Sequence, residues 1–102
     1  VTLGPRGCVW ARRRDGLEEF GTVPAPAARR VVDTTGAGDA FMATLLLGLT
    51  RRQQAGEDPF AIDSSRLVRL LARAAEAGTR VCEALGAVNG LPRLHDFGPV
   101  DC

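Results

Sequence analysis

Between Leu67 and Leu85 the residues Leu67, Leu70, Leu71, Ala74, Ala77, Gly78, Val81 and Leu85 recur at spacings of three and four, with Arg66, Arg69, Arg73, Glu76, Arg80 and Glu83 on the other side. That period predicts a helix with one buried stripe and one solvated face. Asp63 or Ser64 can cap its start, and Gly86 ends it. Upstream, the run Ala40, Phe41, Met42, Leu45, Leu46, Leu47, Leu49 has almost no polar face. A helix of that kind is expected to be buried on most sides. Arg51-Arg52-Gln53-Gln54 restores polarity where cations suit the helix dipole, Gly56 is the expected terminator, and Glu57 to Ile62 reads as a connecting loop.

Before these helices the pattern shortens. Val1 to Leu3 reads as a strand ending in the turn Gly4-Pro5-Arg6-Gly7, and Cys8 to Ala11 as the next strand, the two making a hairpin-like unit. Arg12-Arg13-Arg14-Asp15-Gly16 ends in a turn signal and reads as a solvated loop tip, because no aromatic or further basic segment interleaves with it. Leu17 to Val23 is a further strand, although Leu17, Phe20 and Val23 are spaced by three rather than two. Pro24-Ala25-Pro26 breaks any ladder, and Arg29 to Val32 continues as a short extended segment. The tail from Leu91 to Cys102 has no periodicity and reads as irregular.

Composition changes this picture little. With 45% hydrophobic and 25% charged residues over 102 positions, the chain can bury a modest core, which argues against disorder. A formal net charge of +1 gives no electrostatic reason to expect a nucleic-acid or membrane partner. The run from Ala40 to Leu49 is about half of what spans a bilayer. Cys8, Cys82 and Cys102 lack metal-ligand spacing and His95 stands alone, so a reduced, cytoplasmic setting is expected. Val1-Thr2-Leu3 already lies in a strand-like pattern, so the chain is expected to begin within a larger protein.

The candidate chemistry sits between the extended segment and the apolar helix, in Asp33-Thr34-Thr35-Gly36-Ala37-Gly38-Asp39-Ala40-Phe41. Glycines at 36 and 38 free the backbone and let a ligand approach it, and a helix starting there would favour an anion. A phosphate-binding P-loop is excluded because the chain has no lysine, and a dinucleotide fingerprint because Phe41 stands where glycine or alanine is needed. What remains is an anion nest with Asp39 in the first helical turn. Amides of Gly36, Ala37 and Gly38 would stabilise a transferring phosphoryl group, and Asp39 would take the proton of an attacking hydroxyl. A purely structural alternative stays open at this point: Asp33 caps the turn, the glycines allow tight packing and Asp39 favours the helix dipole.

This nonapeptide resembles the C-terminal signature of the ribokinase-like, or PfkB, family of carbohydrate kinases. Val1-Thr2-Leu3-Gly4-Pro5-Arg6-Gly7-Cys8 resembles the strand and glycine turn that precede it in that family, and Cys82-Glu83-Ala84-Leu85-Gly86-Ala87 the helix end and turn that follow. The resemblance implies an α/β fold, here the C-terminal part of a ribokinase-like, Rossmann-like α/β sandwich. Residues 1–102 would form the nucleotide-binding and catalytic part, without the N-terminal sugar-binding part. It implies magnesium-dependent transfer of the ATP γ-phosphate to a hydroxyl of a sugar, of fructokinase-like or ribokinase-like class. Asp39 would be the base and Gly36, Ala37 and Gly38 the anion hole. Gly4 and Gly7 would lie along the nucleotide, with Ala74 to Gly78 and Ala87 to Asn89 near adenine. Asp33 and Thr35 would help hold a monovalent cation, K+. A homodimer of the full-length protein is a further expectation. Two other readings are a regulatory nucleotide-binding module without transfer activity and an inert fragment of such a kinase.

Overall fold

The structure, a computed structural model, describes residues 1–83. Two strands, β1 (Cys8–Arg14) and β2 (Leu17–Val23), form an antiparallel hairpin with Cys8 opposite Val23 and Arg14 opposite Leu17. The Asp15-Gly16 turn closes it with both residues at positive φ, 52° and 79°. That is the backbone twist a two-residue hairpin turn requires. Val1 to Leu3 pairs on the opposite edge of β1 through one bridge, Thr2 to Cys8, followed by a single 3-10 turn over Gly4–Arg6. The expected pairing of Val1 to Leu3 with Cys8 to Ala11 is therefore reduced to a bridge, and the extended hairpin is the one through Asp15-Gly16.

The three arginines lie in β1, not in a loop tip. Arg12 pairs across the hairpin with Glu19 at 2.6 Å and Arg13 with Glu18 at 2.7 Å. The charges mirror each other about the Asp-Gly turn, and opposite charges on facing positions favour strand pairing. Arg12 goes further. Its guanidinium also donates to the carbonyl of Ile62 and to Ser64 Oγ, whose hydroxyl donates to the other Glu19 carboxylate oxygen at 3.1 Å. The hairpin is thereby tied to the start of the second helix.

Helix α1 (Ala37–Gln54) and helix α2 (Ser64–Cys82) follow, joined by residues 55–63. Gly56 ends α1 at φ 82°, as expected of a terminating glycine. Asp63 caps α2, its carboxylate accepting the Arg66 amide at 2.9 Å. The C-terminal end of α2 lies beside the N-terminal end of α1, so the helices run antiparallel. Ala40 packs on Ala77 and Val81, while Phe41 joins Cys8 and Val23 of the hairpin to Leu71, Ala74 and Ala75 of α2. Burying one such aromatic side chain stabilises by roughly 1.5–3 kcal/mol.

Among the described residues helix α1 is covered on one face and not, as its apolar run predicts, on most sides: Ala40, Phe41, Gly48 and Arg52 are buried, but Met42, Leu46 and Leu47 are exposed. Helix α2 covers only one face of it. An apolar groove of about 1170 Å³ opens beside that face, lined by Trp10, Phe41, Met42, Leu45, Phe60 and Leu67 among others. Arg52, read as a dipole partner, is buried and pairs with Glu57 at 3.0 Å.

The Arg12 bond holds the Glu19 carboxyl below its ordinary value of 4.5, and the Arg66 amide holds Asp63 below 3.8. Both folded values lie under the unfolded ones, so their contribution is present at neutral pH and lost as pH falls through the folded values. The melting temperature is expected to drop on acidification below about pH 4.5. Glu19→Gln should lower it at neutral pH and flatten that acid dependence, which thermal melts across a pH series would test.

Candidate active site

The polypeptide enters the site along residues 24–32 and turns at Asp33. Asp33 Oδ1 accepts the Thr35 amide at 2.9 Å and the Thr35 hydroxyl at 2.6 Å. Aspartate favours this closed turn because its short side chain reaches an amide two residues on. Gly36 then adopts a left-handed conformation, φ 83° and ψ 1°, and stands as the N-cap of α1. Its carbonyl accepts the Ala40 amide at 2.9 Å, which starts the helix.

A glycine N-cap has no side chain to satisfy the first-turn amides, which also lack intrahelical acceptors. The Ala37 amide donates to the Thr34 carbonyl at 3.2 Å, a long bond that closes the turn. Gly38 and Asp39 are exposed, and open space lies where a side chain on Gly38 would project. Donors, helix dipole and space for a ligand thus coincide at this end of α1, with the Asp39 carboxylate in the same turn. Phe41, two residues on, anchors the assembly in the core.

The turn is held from behind by the last turns of α2. The Cys82 carbonyl accepts the amides of Val32 at 2.7 Å and Asp33 at 3.2 Å. Thr79 Oγ1 lies 3.1 Å from both the Pro26 and the Ala75 carbonyl oxygens and shares its one proton between them, and the Arg29 amide donates to the Glu83 carboxylate at 2.8 Å. Glu83, on the charged side of the α2 pattern, thus meets the backbone of the approach segment rather than solvent alone. The α2 periodicity shows which face is buried but not that its far end meets a segment fifty residues earlier.

Asp33, Thr35, Gly36, Ala37, Gly38 and Asp39 are therefore gathered in one turn. Gly4 and Gly7 lie in a separate turn leading into β1. Gly7 has a packing reason for being glycine: at φ 93°, a Cβ there would stand 1.9 Å from the Val23 carbonyl oxygen. Gly38 shares the wall of the apolar groove with Thr2 and Cys8. Asn89, with the Gly86-Ala87 turn, His95 and Cys102, lies outside the described residues. Cys8 is buried, and burial pushes its thiol pKa up, so it is poorly suited to nucleophilic chemistry.

Among the described residues no three or more His, Cys, Asp or Glu side chains gather as a metal site. Nor is any helix among them long and apolar enough to cross a membrane.

The model of the pfkB family of carbohydrate kinases matches residues 1–94. The chain is 37% identical over 93 residues to fructokinase-1 of Zea mays, covering 90% of this chain and 25% of that protein. It is 38% identical over 96 residues to the ribokinase of Lactococcus lactis subsp. lactis, covering 94% of this chain and 26% of the relative. Among solved structures, ribokinase from Giardia lamblia superposes with a TM-score of 0.69 at 28% identity, over 90% of this chain and 28% of that one. The chain thus spans about a quarter of the length of these curated relatives. The hairpin and helix pair form part of an α/β, ribokinase-like fold.

Proposed function

The chain belongs to the pfkB family of carbohydrate kinases, and on that premise we propose that its protein transfers the γ-phosphoryl group of ATP to a hydroxyl of a sugar. The substrate class is that of fructokinases and ribokinases. Residues 1–102 contribute the nucleotide-binding and catalytic part. The observation that carries this reading is the pairing of a glycine-capped, exposed helix start with a carboxylate in its first turn.

Asp39 takes the proton of the sugar hydroxyl as its oxygen bonds to the γ-phosphorus. The bond from that phosphorus to the bridging oxygen breaks, and ADP leaves. Negative charge gathers on the phosphoryl oxygens, where first-turn amides and the dipole end of α1 stabilise it. The amide of Ala37 would share its bond to Thr34 with the anion, while those around Gly38 are open. A carboxylate beside a bound anion is repelled by it, so Asp39 is better explained by proton transfer than by binding alone.

Magnesium suits this arrangement without a dedicated protein cage, because that ion is usually held through substrate phosphates and one or two carboxylates. When bound it neutralises charge on the phosphates. Asp33 and Thr35, which bond each other beside the nest, are the residues on which a K+ ion would draw.

The test is ADP release by the full-length protein with ATP, magnesium and a panel of ketoses, aldopentoses and nucleosides. Fructose or ribose is expected to support turnover, and EDTA is expected to abolish it. ATP binding without transfer to any sugar would favour the regulatory module instead.

A further inference from the structure

We propose that Gly78 of α2 is a positioning residue for the Asp33–Asp39 turn: its lack of a side chain sets how closely α2 approaches Ala37, and so where the nest amides and the Asp39 carboxylate stand. The proposal rests on the kinase reading above.

Gly78 lies within α2, four residues before its end at Cys82, where glycine is a poor choice for a helix. Backbone conformation does not demand it, since Gly78 is not among the glycines with positive φ. Space does. A Cβ on Gly78 would stand 3.2 Å from the Ala37 carbonyl oxygen and 3.8 Å from its carbon. The nearer distance is tighter than ordinary van der Waals contact, so Ala37 would have to give by a few tenths of an ångström. Ala37 is the first residue of α1, between the Gly36 cap and Gly38.

The surroundings decide where that displacement goes. Residues 79–83 of the same helix end hold the approach segment through the Thr79 to Pro26, Glu83 to Arg29 and Cys82 to Val32 and Asp33 bonds. Further along α1, Ala40 is fixed against Ala77 and Val81. With both flanks tied to α2, a push at Ala37 is taken up within residues 33–39 themselves. Those are the residues whose placement governs phosphoryl transfer.

Gly78→Ala and Gly78→Val in the full-length protein test this, with kcat, KM for sugar and ATP, and melting temperature measured together. Misplacement of reacting groups by about 1 Å can cost on the order of 100-fold. Accordingly kcat should fall about three- to tenfold for Gly78→Ala and about 100-fold for Gly78→Val, with sugar KM unchanged. The melting temperature of Gly78→Ala should change little, because alanine's helix preference of about 1 kcal/mol offsets the cost of moving Ala37. Loss of activity without loss of stability is a result that a merely structural glycine would not give. The proposal is overturned if kcat stays within about twofold of the unsubstituted protein in both variants, or if activity falls only in step with folded protein. Should the unsubstituted protein phosphorylate no sugar at all, the kinase reading falls by itself, and positioning is read from ATP affinity. Weakening by about tenfold in Gly78→Val then supports it, and unchanged affinity overturns it.

Discussion

Asp39→Asn is expected to reduce turnover by about 100- to 10,000-fold, the range that a positioned general base supplies. Asparagine has nearly the same shape but accepts no proton at neutral pH. ATP affinity should be unchanged or tighter, because the substitution removes a negative charge beside the phosphates. Helix stability offers no alternative explanation: an acidic residue in the first turn of an exposed helix contributes only about 0.3–1 kcal/mol through the dipole. Steady-state kinetics together with calorimetric ATP titration separates the two effects. Near-normal turnover in the full-length variant would remove Asp39 from the chemistry and return the turn to a packing role.

Gly7→Ala is the second large effect, and it falls on stability. Its Cβ would meet the Val23 carbonyl oxygen at 1.9 Å, and the Ala25 nitrogen and Pro24 Cα at 2.8 Å. All three are backbone atoms, so no side chain can rotate away. Backbone strain at this φ and forced displacement of the strand exit each cost about 1–3 kcal/mol, and together roughly 3 kcal/mol or more. Gly4 is the control. It too has positive φ, 61°, but nothing lies within 4 Å of its would-be Cβ. Gly4→Ala should cost only the left-handed backbone penalty, roughly 1–2 kcal/mol. Denaturation midpoints for the two variants compare them directly, and equal destabilisation would refute the packing account of Gly7.

The local signals in this chain were strong wherever one segment carries them. The three-four spacing of Leu67 to Val81 marks α2 with its Asp63 cap, and the Asp15-Gly16 turn signal is where the hairpin closes. The nonapeptide from Asp33 to Phe41 marks the strand-to-helix turn with its anion-accepting end. These are short-range relations, written in neighbouring residues.

What failed to be legible depends on residues far apart in the chain. Arg12-Arg13-Arg14 looked like a solvated run, yet Arg12 is held by Glu19, Ile62 and Ser64. The mirrored Glu18-Glu19 was the available clue, but its meaning depends on strand register. The apolar run in α1 predicts burial on most sides, but burial requires a facing partner, and among the described residues α2 covers only one side.

By itself the sequence determined the elements, the motif and the family resemblance, because periodicity, capping and turn chemistry act over a few residues. Only the tertiary structure decided that the end of α2 clamps residues 26–33 and meets Ala37 at Gly78. That contact joins positions about forty residues apart, and its reason is the space between two helices, which no local pattern encodes.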